Sequence, residues 1–232
     1  MSWLMAAVYD RVMQGSEQSC LDRWRADLLR TVTGDVVEIG PGTGANLPHY
    51  PTTVSRLVLL EPDAGMRKRL RARCEAMRLT SVEIVPLPIE PLPDGLGSFD
   101  AVVATLVLCS VPDLAATLAS VFGVLRPGGR LFFLEHVAAT GHPRRLAWQR
   151  RLEPLWQRVA GNCHLTRQTE AAILGAGFVI ERIERASIRK APPFVRPSIR
   201  GIARKPAVPD HERRQAQETV PAHSANDVGR MP

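Results

Sequence analysis

The chain has 232 residues, 45% of them hydrophobic, which fits one globular domain with short extensions. No run reaches the roughly 18–20 apolar residues of a membrane span. The start, MSWLMAAVYDRVMQ, is too short for a cleavable signal peptide and is interrupted early by charged residues, so we expect a cytoplasmic protein. The formal net charge of +7 leaves nucleic acid, an anionic membrane or an acidic substrate open as partners. The four cysteines form no C-x-x-C pair, and their spacing indicates neither a disulfide nor a metal site.

The N-terminal part of the chain predicts two short helices. Leu4, Val8 and Val12 recur at helical spacing. Ser16 is expected to cap a second helix, whose apolar face continues to residue 29.

From residue 34 onward, strands alternate with helices. The predicted strands lie at residues 36–39, 56–60, 82–85, 99–108, 130–134, 178–183 and 199–203. The predicted helices run from Asp63 to about residue 78, from Asp113 to the RPGG turn at 126–129, and over residues 142–160 and 166–176. This alternation predicts a doubly wound α/β fold with a seven-stranded, mostly parallel sheet and a ligand cleft at the carboxyl ends of its strands.

A glycine-rich loop, EIGPGTGA, follows the first predicted strand. Gly40, Gly42 and Ala45 fit the dinucleotide-binding pattern G-x-G-x-x-A. Glu38, however, places an acid directly before the glycines, where it would repel a pyrophosphate and could hold a cationic group. Glu61 ends the second strand, where a carboxylate can accept both hydroxyls of a ribose; a surface or helix-capping role is the structural alternative.

Four segments in this order resemble the class I S-adenosylmethionine-dependent methyltransferases. They are VVEIGPGTGANL (36–47), LLEPD (59–63), SFDAVVATLVLCSV (98–111) and LRPGGRLFFLEH (125–136). The resemblance implies that the glycine loop holds the methionine part of S-adenosyl-L-methionine, that Glu61 holds the ribose, and that residues after the fourth strand lie beside the methyl group. The cofactor-binding residues it implies are Glu38, Gly40, Gly42, Gly44, Asn46, Glu61, Pro62, Ile89 and Thr105.

One departure concerns adenine. Many relatives carry an aspartate where this chain has Pro88, in LPIEPLP (87–93). We therefore expect backbone groups and packing against Ile89 and Pro62 to hold adenine. Glu90 could substitute for the aspartate, although its position is offset, and it is the alternative.

The C-terminal half is similar to a narrower group, the animal microsomal thiol S-methyltransferases, also called methyltransferase-like seven. The matching segments are TLVLCSV (105–111), LRPGG…EHVAA (125–139), W-Q…L-x-P-x-W (148–156) and G-x-C-x-L-T-R (161–167). Those relatives methylate small alkyl thiols and sit on a membrane through a longer hydrophobic N-terminus. The N-terminal helix predicted here is short and interrupted, so we do not expect the membrane anchorage to carry over with the motifs.

A thiol acceptor must be ionised, because the thiolate is the nucleophile. His136, His164 and Arg167 are the predicted catalytic residues: a histidine could accept the proton and Arg167 could stabilise the anion. His136 could instead be a strand-end residue bonded to backbone. Arg167, in the first turn of a helix that Thr166 is expected to cap, could pair with Glu135 or Glu170. Cys109 and Cys163 are expected to be packing residues.

The predicted helix at 142–160 carries Trp148 and Trp156 among five arginines. It could be a lid over an apolar substrate, a peripheral contact with a membrane surface, or an ordinary amphipathic helix packed on the domain.

The chain divides into N-terminal helices that cover the cofactor cleft (1–33), the methyltransferase domain (34–204), and a disordered tail (205–232) with four basic and four acidic residues. We expect a small-molecule acceptor. A thiol is favoured, and a quinone ring carbon or a phospholipid amine is the alternative.

Other functions fit the sequence less well. The chain lacks the N/D-P-P-Y and Pro-Cys motifs of nucleic-acid methyltransferases, and only 5% of its residues are aromatic. We therefore expect no nucleic-acid partner. A non-catalytic cofactor-binding protein and a nicotinamide dehydrogenase are the remaining alternatives.

Overall fold

The computed structural model describes residues 11–79, 81–88 and 96–207. The strands are β1 (Gly34–Ile39), β2 (Val54–Leu60), β3 (Val82–Val85), β4 (Phe99–Thr105), β5 (Leu125–His136), β6 (Val179–Ser187) and β7 (Pro197–Arg204). The helices are α1 (Asp22–Leu29), α2 (Ala64–Ala76), α3 (Leu114–Val124), α4 (Pro143–Val159) and α5 (Thr169–Gly175). A π-helical turn, Glu17–Leu21, leads into α1, and a 3-10 turn, Leu47–His49, follows the glycine loop.

The strands form one sheet in the order β3-β2-β1-β4-β5-β7-β6, in which only β7 runs antiparallel to its neighbours. The order reverses at β1, whose last residue, Ile39, lies opposite both Leu60 and Ala104. The carboxyl ends of β2, β1 and β4 therefore meet at one edge, where doubly wound sheets bind ligands. The predicted fold is confirmed.

Side chains of the central strands alternate between two apolar layers. Val37 and Ile39 of β1 pack into one cluster, and Val36 packs with Leu57 and Leu59 into the other. Both faces are covered because a parallel sheet carries its helical crossovers on both sides. Since both layers are packed, the space left for a ligand lies at the edge of the sheet.

Two of the three N-cap residues Ser16, Asp63 and Asp113 are predicted correctly from the local sequence. Asp63 accepts a hydrogen bond from Met66 N and Asp113 accepts from Ala115 N and Ala116 N, so both predicted caps are confirmed. The predicted cap at Ser16 is wrong: Ser16 has helical backbone angles and makes no capping bond. The helical backbone instead continues through the π-helical turn, Glu17–Leu21, into α1 without a break.

The cap at Thr166 is also wrong, since α5 begins at Thr169. Thr166 instead donates from both its backbone N and its Oγ1 to Glu153 Oε2, at 2.7 and 2.6 Å. A long-range carboxylate on α4 therefore takes the donors that a local cap would have used.

The end of the domain is fixed by Lys205. Its backbone pairs with Gly128 and Gly129, and its Nζ donates to the carbonyl oxygens of Phe122 and Leu125 at 2.7 Å. The RPGG segment, predicted as a turn, is thereby drawn into β5. Lys205, the first residue of the predicted tail, is therefore bonded to the domain. Residues 208–232, most of the predicted tail, lie outside the described residues.

None of the helices among the described residues combines the length and the apolar character needed to cross a bilayer. Leu4 and Val8 of the predicted first helix lie outside the described residues.

Candidate active site

Three glycines shape the loop after β1. Gly40, Gly42 and Gly44 have φ values of 60°, 59° and 87°, which disfavour any other residue. A Cβ on Gly40 would lie 2.3 Å from Val107 Cγ2, and one on Gly44 would lie 2.7 Å from Leu47 Cδ1. At Gly42 a Cβ would meet no atom of the described chain within 4 Å. Two of the glycines therefore allow close packing, and Gly42 presents bare backbone to open space.

Glu61 joins this loop to the end of β2. Its Oε2 accepts from Gly42 N and its Oε1 accepts from Asp63 N, both at 2.9 Å. The side chain is 6% exposed, and burial raises the pKa of Glu61 against the opposing effect of these two backbone donors. Since Asp63 caps α2, Glu61 is neither a surface acid nor the cap. Each of its oxygens retains a lone pair for a hydroxyl of a ligand.

A buried polar network connects α1, β1 and β4. Glu38 accepts from Asn46 Nδ2 at 2.8 Å and from the hydroxyl of Tyr50 at 2.7 Å. Arg25 Nη1 donates to Asn46 Oδ1 at 2.8 Å and to Thr105 Oγ1 at 2.7 Å. The structure thus brings together three predicted cofactor residues, Glu38, Asn46 and Thr105.

Sequence reasoning missed Arg25 and Tyr50. Arg25 had a signal: it stands four residues after Leu21 and four before Leu29, on the apolar stripe of α1, where a charge needs a partner. Tyr50 had no comparable signal in the chain around it.

Burial raises the pKa of Glu38 to about 7, although the hydrogen bonds from Tyr50 and Asn46 and the charge of Arg25 oppose the shift. Glu38 therefore changes charge near neutral pH, and a cation placed beside it would favour the carboxylate.

The adenine end is less fully described. Pro62 is exposed at the start of α2, and its carbonyl accepts from Arg67 Nη1 at 2.6 Å. Ile89 and Glu90 lie outside the described residues, so adenine packing stays a prediction.

Glu135 organises the loop after β4. Its Oε1 accepts from Val107 N and Leu108 N at 2.9 Å, and its Oε2 accepts from Cys109 N at 3.3 Å. Burial raises its pKa to about 7 despite these three donors. Leu108, the next residue of this loop, is fully buried in the core.

His136 lies beside two cysteines. Its Nε2 is 2.7 Å from Cys163 Sγ, which is 3.8 Å from Cys109 Sγ, and all three residues are buried. The hydrogen bond between Cys163 and Cys109, opposed by burial and aided by His136, lowers the pKa of Cys163, and the same bond together with burial raises the pKa of Cys109. The pKa of His136 is lowered by burial, but the bond to Cys163 outweighs this and leaves it raised. The two cysteines, expected only to pack, thus form a polar group that their separation in the sequence could not reveal.

Arg167 clamps the same loop. Its two terminal nitrogens donate to the carbonyl oxygens of Leu108 and Val111. The alternative pairings with Glu135 and Glu170 are not found: Glu135 binds backbone, and Glu170 pairs with Arg185.

His164 is partly exposed and lies beside this clamp. Its backbone N donates to Cys109 O at 2.8 Å, and its Nδ1 is 2.7 Å from Gln157 Nε2. Burial, followed by the charge of Arg167, lowers the pKa of His164. All three predicted catalytic residues therefore contact the 105–111 loop or Cys163.

Comparisons with known proteins agree with this geometry. A family model described as a methyltransferase domain matches residues 37–133. Thiol S-methyltransferase TMT1B of Rattus norvegicus is 39% identical over 176 residues, covering 73% of this chain and 70% of the relative. Thiol S-methyltransferase TMT1A of Homo sapiens is 36% identical over 172 residues, with the same coverage. Among solved structures, the N-methyltransferase NodS from Bradyrhizobium japonicum in complex with S-adenosyl-L-homocysteine has a TM-score of 0.61 at 18% identity, covering 85% of this chain and 98% of NodS.

A doubly wound sheet with a glycine loop after β1 and buried acids beside the carboxyl ends of β1 and β2 is typical of the class I S-adenosylmethionine-dependent methyltransferases. The chain belongs to this family, close to the thiol S-methyltransferases. Its cofactor is S-adenosyl-L-methionine. The site fits this cofactor, since Gly42 borders open space and the buried Glu61 carboxylate can still accept hydroxyl donors.

Proposed function

We infer that the protein transfers a methyl group to a small apolar thiol. The observation that carries this proposal is the 39% identity to a thiol S-methyltransferase over 176 residues. When bound, S-adenosylmethionine supplies a methyl group on a positively charged sulfur, so the enzyme mainly has to bind, orient and exclude water.

The parts of the chain that would hold the cofactor follow from its contacts. We assign the ribose hydroxyls to Glu61 and the close backbone approach to Gly42. The network of Glu38, Asn46 and Thr105 would hold the amino acid end, with Arg25 fixing these side chains from α1.

The acceptor would lie where the loops after β4 and β5 meet. A free thiol with a pKa of about 8.5 is mostly protonated at neutral pH. The terminal nitrogens of Arg167 bind carbonyl oxygens, but its positive charge remains beside the 105–111 loop. This charge favours the thiolate form of the acceptor. We assign the role of proton acceptor to His164, because it is partly exposed whereas His136 is buried beside Cys163. Its Nδ1 accepts from Gln157 Nε2 at 2.7 Å and would have to exchange that contact for the thiol.

The test is a methyl-transfer assay with labelled cofactor and a panel of alkyl thiols, aryl thiols, quinols and amines. We expect transfer to thiols, with a rate that rises with pH and levels off below the pKa of the free thiol. His164→Ala and Arg167→Ala should move this inflection upward, whereas His142→Ala, at the exposed start of α4, should not. Turnover of a quinol or amine with no thiol methylated would reject the thiol.

That outcome has a basis in more distant relatives. A demethylmenaquinone methyltransferase of Tropheryma whipplei is 29% identical over 150 residues. A phosphatidylethanolamine N-methyltransferase of Cereibacter sphaeroides is 31% identical over 111 residues.

We further propose that α4 contacts an anionic membrane surface from the cytoplasmic side. Trp148, Leu155 and Val159 recur along α4 and are 63%, 63% and 54% exposed. Exposed arginines flank them at positions 144, 150, 151 and 158, which suits an interfacial helix.

Co-sedimentation with vesicles tests this surface. Binding is expected to vesicles that contain anionic lipid, to weaken with salt, and to fall in a Trp148→Ala, Leu155→Ala double variant. A matched Leu174→Ala variant, at an exposed leucine on α5, should bind normally. Equal sedimentation of the double variant and the wild type would reject α4 as the contact.

A further inference from the structure

Three side chains that commonly bind metal ions converge at the carboxyl ends of β4 and β5. Cys109 lies in the loop after β4, His136 ends β5, and Cys163 lies between α4 and α5. Their ligand atoms all lie within 4.8 Å of one another, and all three residues are buried. They are distant in sequence, and only the fold brings them together.

The distances suit a zinc ion. Zinc binds thiolate sulfur at about 2.3 Å and imidazole nitrogen at about 2.0–2.1 Å, so two sulfurs on a tetrahedral ion lie about 3.8 Å apart. Cys109 Sγ and Cys163 Sγ are 3.8 Å apart. His136 Nε2 is 2.7 Å from Cys163 Sγ and would have to move away by less than about 1 Å.

We propose that Cys109, His136 and Cys163 bind one Zn²⁺ ion. Two thiolates and a neutral imidazole are the donors that zinc prefers. Two thiolate charges also balance the charge of the ion, so the buried site gains no net charge.

The loops that carry Cys109 and Cys163 are held in position by hydrogen bonds that do not involve the two thiol groups. Cys109 N donates to Glu135, and Cys109 O accepts from His164 N. Asn162, at a φ of 65° before Cys163, donates from Nδ2 to Ser110 O at 3.0 Å and so ties the two cysteine-bearing loops together. A serine in place of either cysteine should therefore leave both loops in position.

Three protein ligands leave a fourth position on a tetrahedral ion, as in catalytic zinc sites. If the proposed thiol acceptor takes this position, its S–H proton passes to solvent as its sulfur replaces a bound water on the ion. This step rests on the proposed function, whereas the metal site does not.

Metal content tests the site directly. The full chain is stripped with a chelator under a phosphine reductant, loaded with zinc, desalted and analysed by atomic absorption. About one ion per chain is expected for the wild type and for Cys74→Ser, whose thiol lies outside the cluster. Cys109→Ser, Cys163→Ser and His136→Gln should lose most of it. An empty wild type, or a Cys109→Ser variant that binds zinc normally, would overturn the proposal.

Two measurements on the wild type avoid reliance on variants. Zinc should slow alkylation of Cys109 and Cys163, but not of Cys20 and Cys74, as read by peptide mass mapping; equal protection of all four cysteines would count against the site. Cobalt should give the visible bands of a tetrahedral thiolate site, and a small alkyl thiol should strengthen their charge-transfer component. A cobalt spectrum that does not change when the thiol is added would show that the thiol does not bind the ion. The labelled-methyl assay tests the proposed function separately.

Discussion

Gly40 and Gly42 lie in the same loop with nearly equal φ values, but the atoms around them differ. Gly42→Ala adds a methyl group where the described chain leaves open space, so it should cost only the roughly 1–2 kcal/mol of a left-handed alanine. The same methyl should obstruct the cofactor and weaken its binding at least about tenfold, or 1.4 kcal/mol. Gly40→Ala meets Val107 and should destabilise the fold more. Calorimetry and thermal unfolding measure both effects. Normal binding by Gly42→Ala would place the cofactor elsewhere.

Glu61 connects the glycine loop to the proposed ribose position. Glu61→Ala should weaken binding of S-adenosylmethionine by about 2–4 kcal/mol, because two ribose hydroxyls lose a charged acceptor in a buried site. It also removes the acceptor of two backbone N–H groups, so some loss of stability is expected.

The control for this effect is Asp63→Ala, which removes the cap of α2 and should cost about 0.5–2 kcal/mol of stability. Its cofactor affinity should stay near that of the wild type. Equal affinities of wild type and Glu61→Ala would show that Glu61 does not bind the ribose.

At the scale of elements, α1 is tied to the sheet by Arg25. Arg25→Met should destabilise the protein by about 2–4 kcal/mol, because Asn46 Oδ1 loses its charged donor, Thr105 Oγ1 loses one of its two donors and Glu17 loses its partner. Arg23→Met on the same helix removes only an exposed 3.9 Å ion pair with Asp27 and should change stability by less than about 0.5 kcal/mol. Denaturant unfolding compares the two. Similar small losses would mean that Arg25 adds little to the apolar face of α1 and its contacts with His49 and Arg200.

The strands and helices could be predicted largely because their signals are local. β3 has the predicted bounds, Val82–Val85, and Asp63 and Asp113 cap helices as predicted. Two of the errors arise where a group distant in sequence determines the local structure: Glu153 accepts from the donors of Thr166, and Lys205 pairs with the RPGG segment.

The residues of the candidate site also differ in whether a local sequence signal identifies them. The acids Glu38 and Glu61 could be identified because each lies next to the end of a strand: Glu38 is the penultimate residue of β1, and Glu61 directly follows β2. The group formed by Cys109, His136 and Cys163 could not, because its members come from three separate loops and no spacing in the sequence relates them.

For the whole molecule, the end of the fold can be located by truncation. Removing residues 208–232 should leave unfolding and catalysis nearly unchanged, because this segment has no apolar periodicity that could build a core. Removing residues 205–232 should cost about 1–3 kcal/mol, since Lys205 bonds two carbonyls and lies 4.7 Å from the Phe122 ring centroid. Thermal unfolding of the two truncated chains makes the comparison. A large loss in the shorter deletion would give the tail a structural role.

The stability of the whole molecule should also depend on pH through its buried acids. Burial raises the pKa of Glu38 from 4.5 to about 7. Between these values the folded state binds a proton that the unfolded state has released, so the free energy of unfolding should fall as pH rises from about 4.5 to 7. The fall attributable to Glu38 is at most about 3.5 kcal/mol, because each pKa unit corresponds to about 1.4 kcal/mol.

Glu38→Gln cannot ionise and should escape this loss. Its free energy of unfolding relative to the wild type should therefore be higher at about pH 8 than at about pH 5. Glu135 and His136, whose raised pKa values give the same sign, are present in both proteins and cancel in the difference. Urea unfolding followed by circular dichroism at several pH values gives the two curves, with Glu75→Gln on the exposed face of α2 as a control that should follow the wild type. Parallel curves for Glu38→Gln and the wild type would mean that Glu38 is already ionised in the folded protein at acidic pH, held there by Arg25, Asn46 and Tyr50 against the effect of burial.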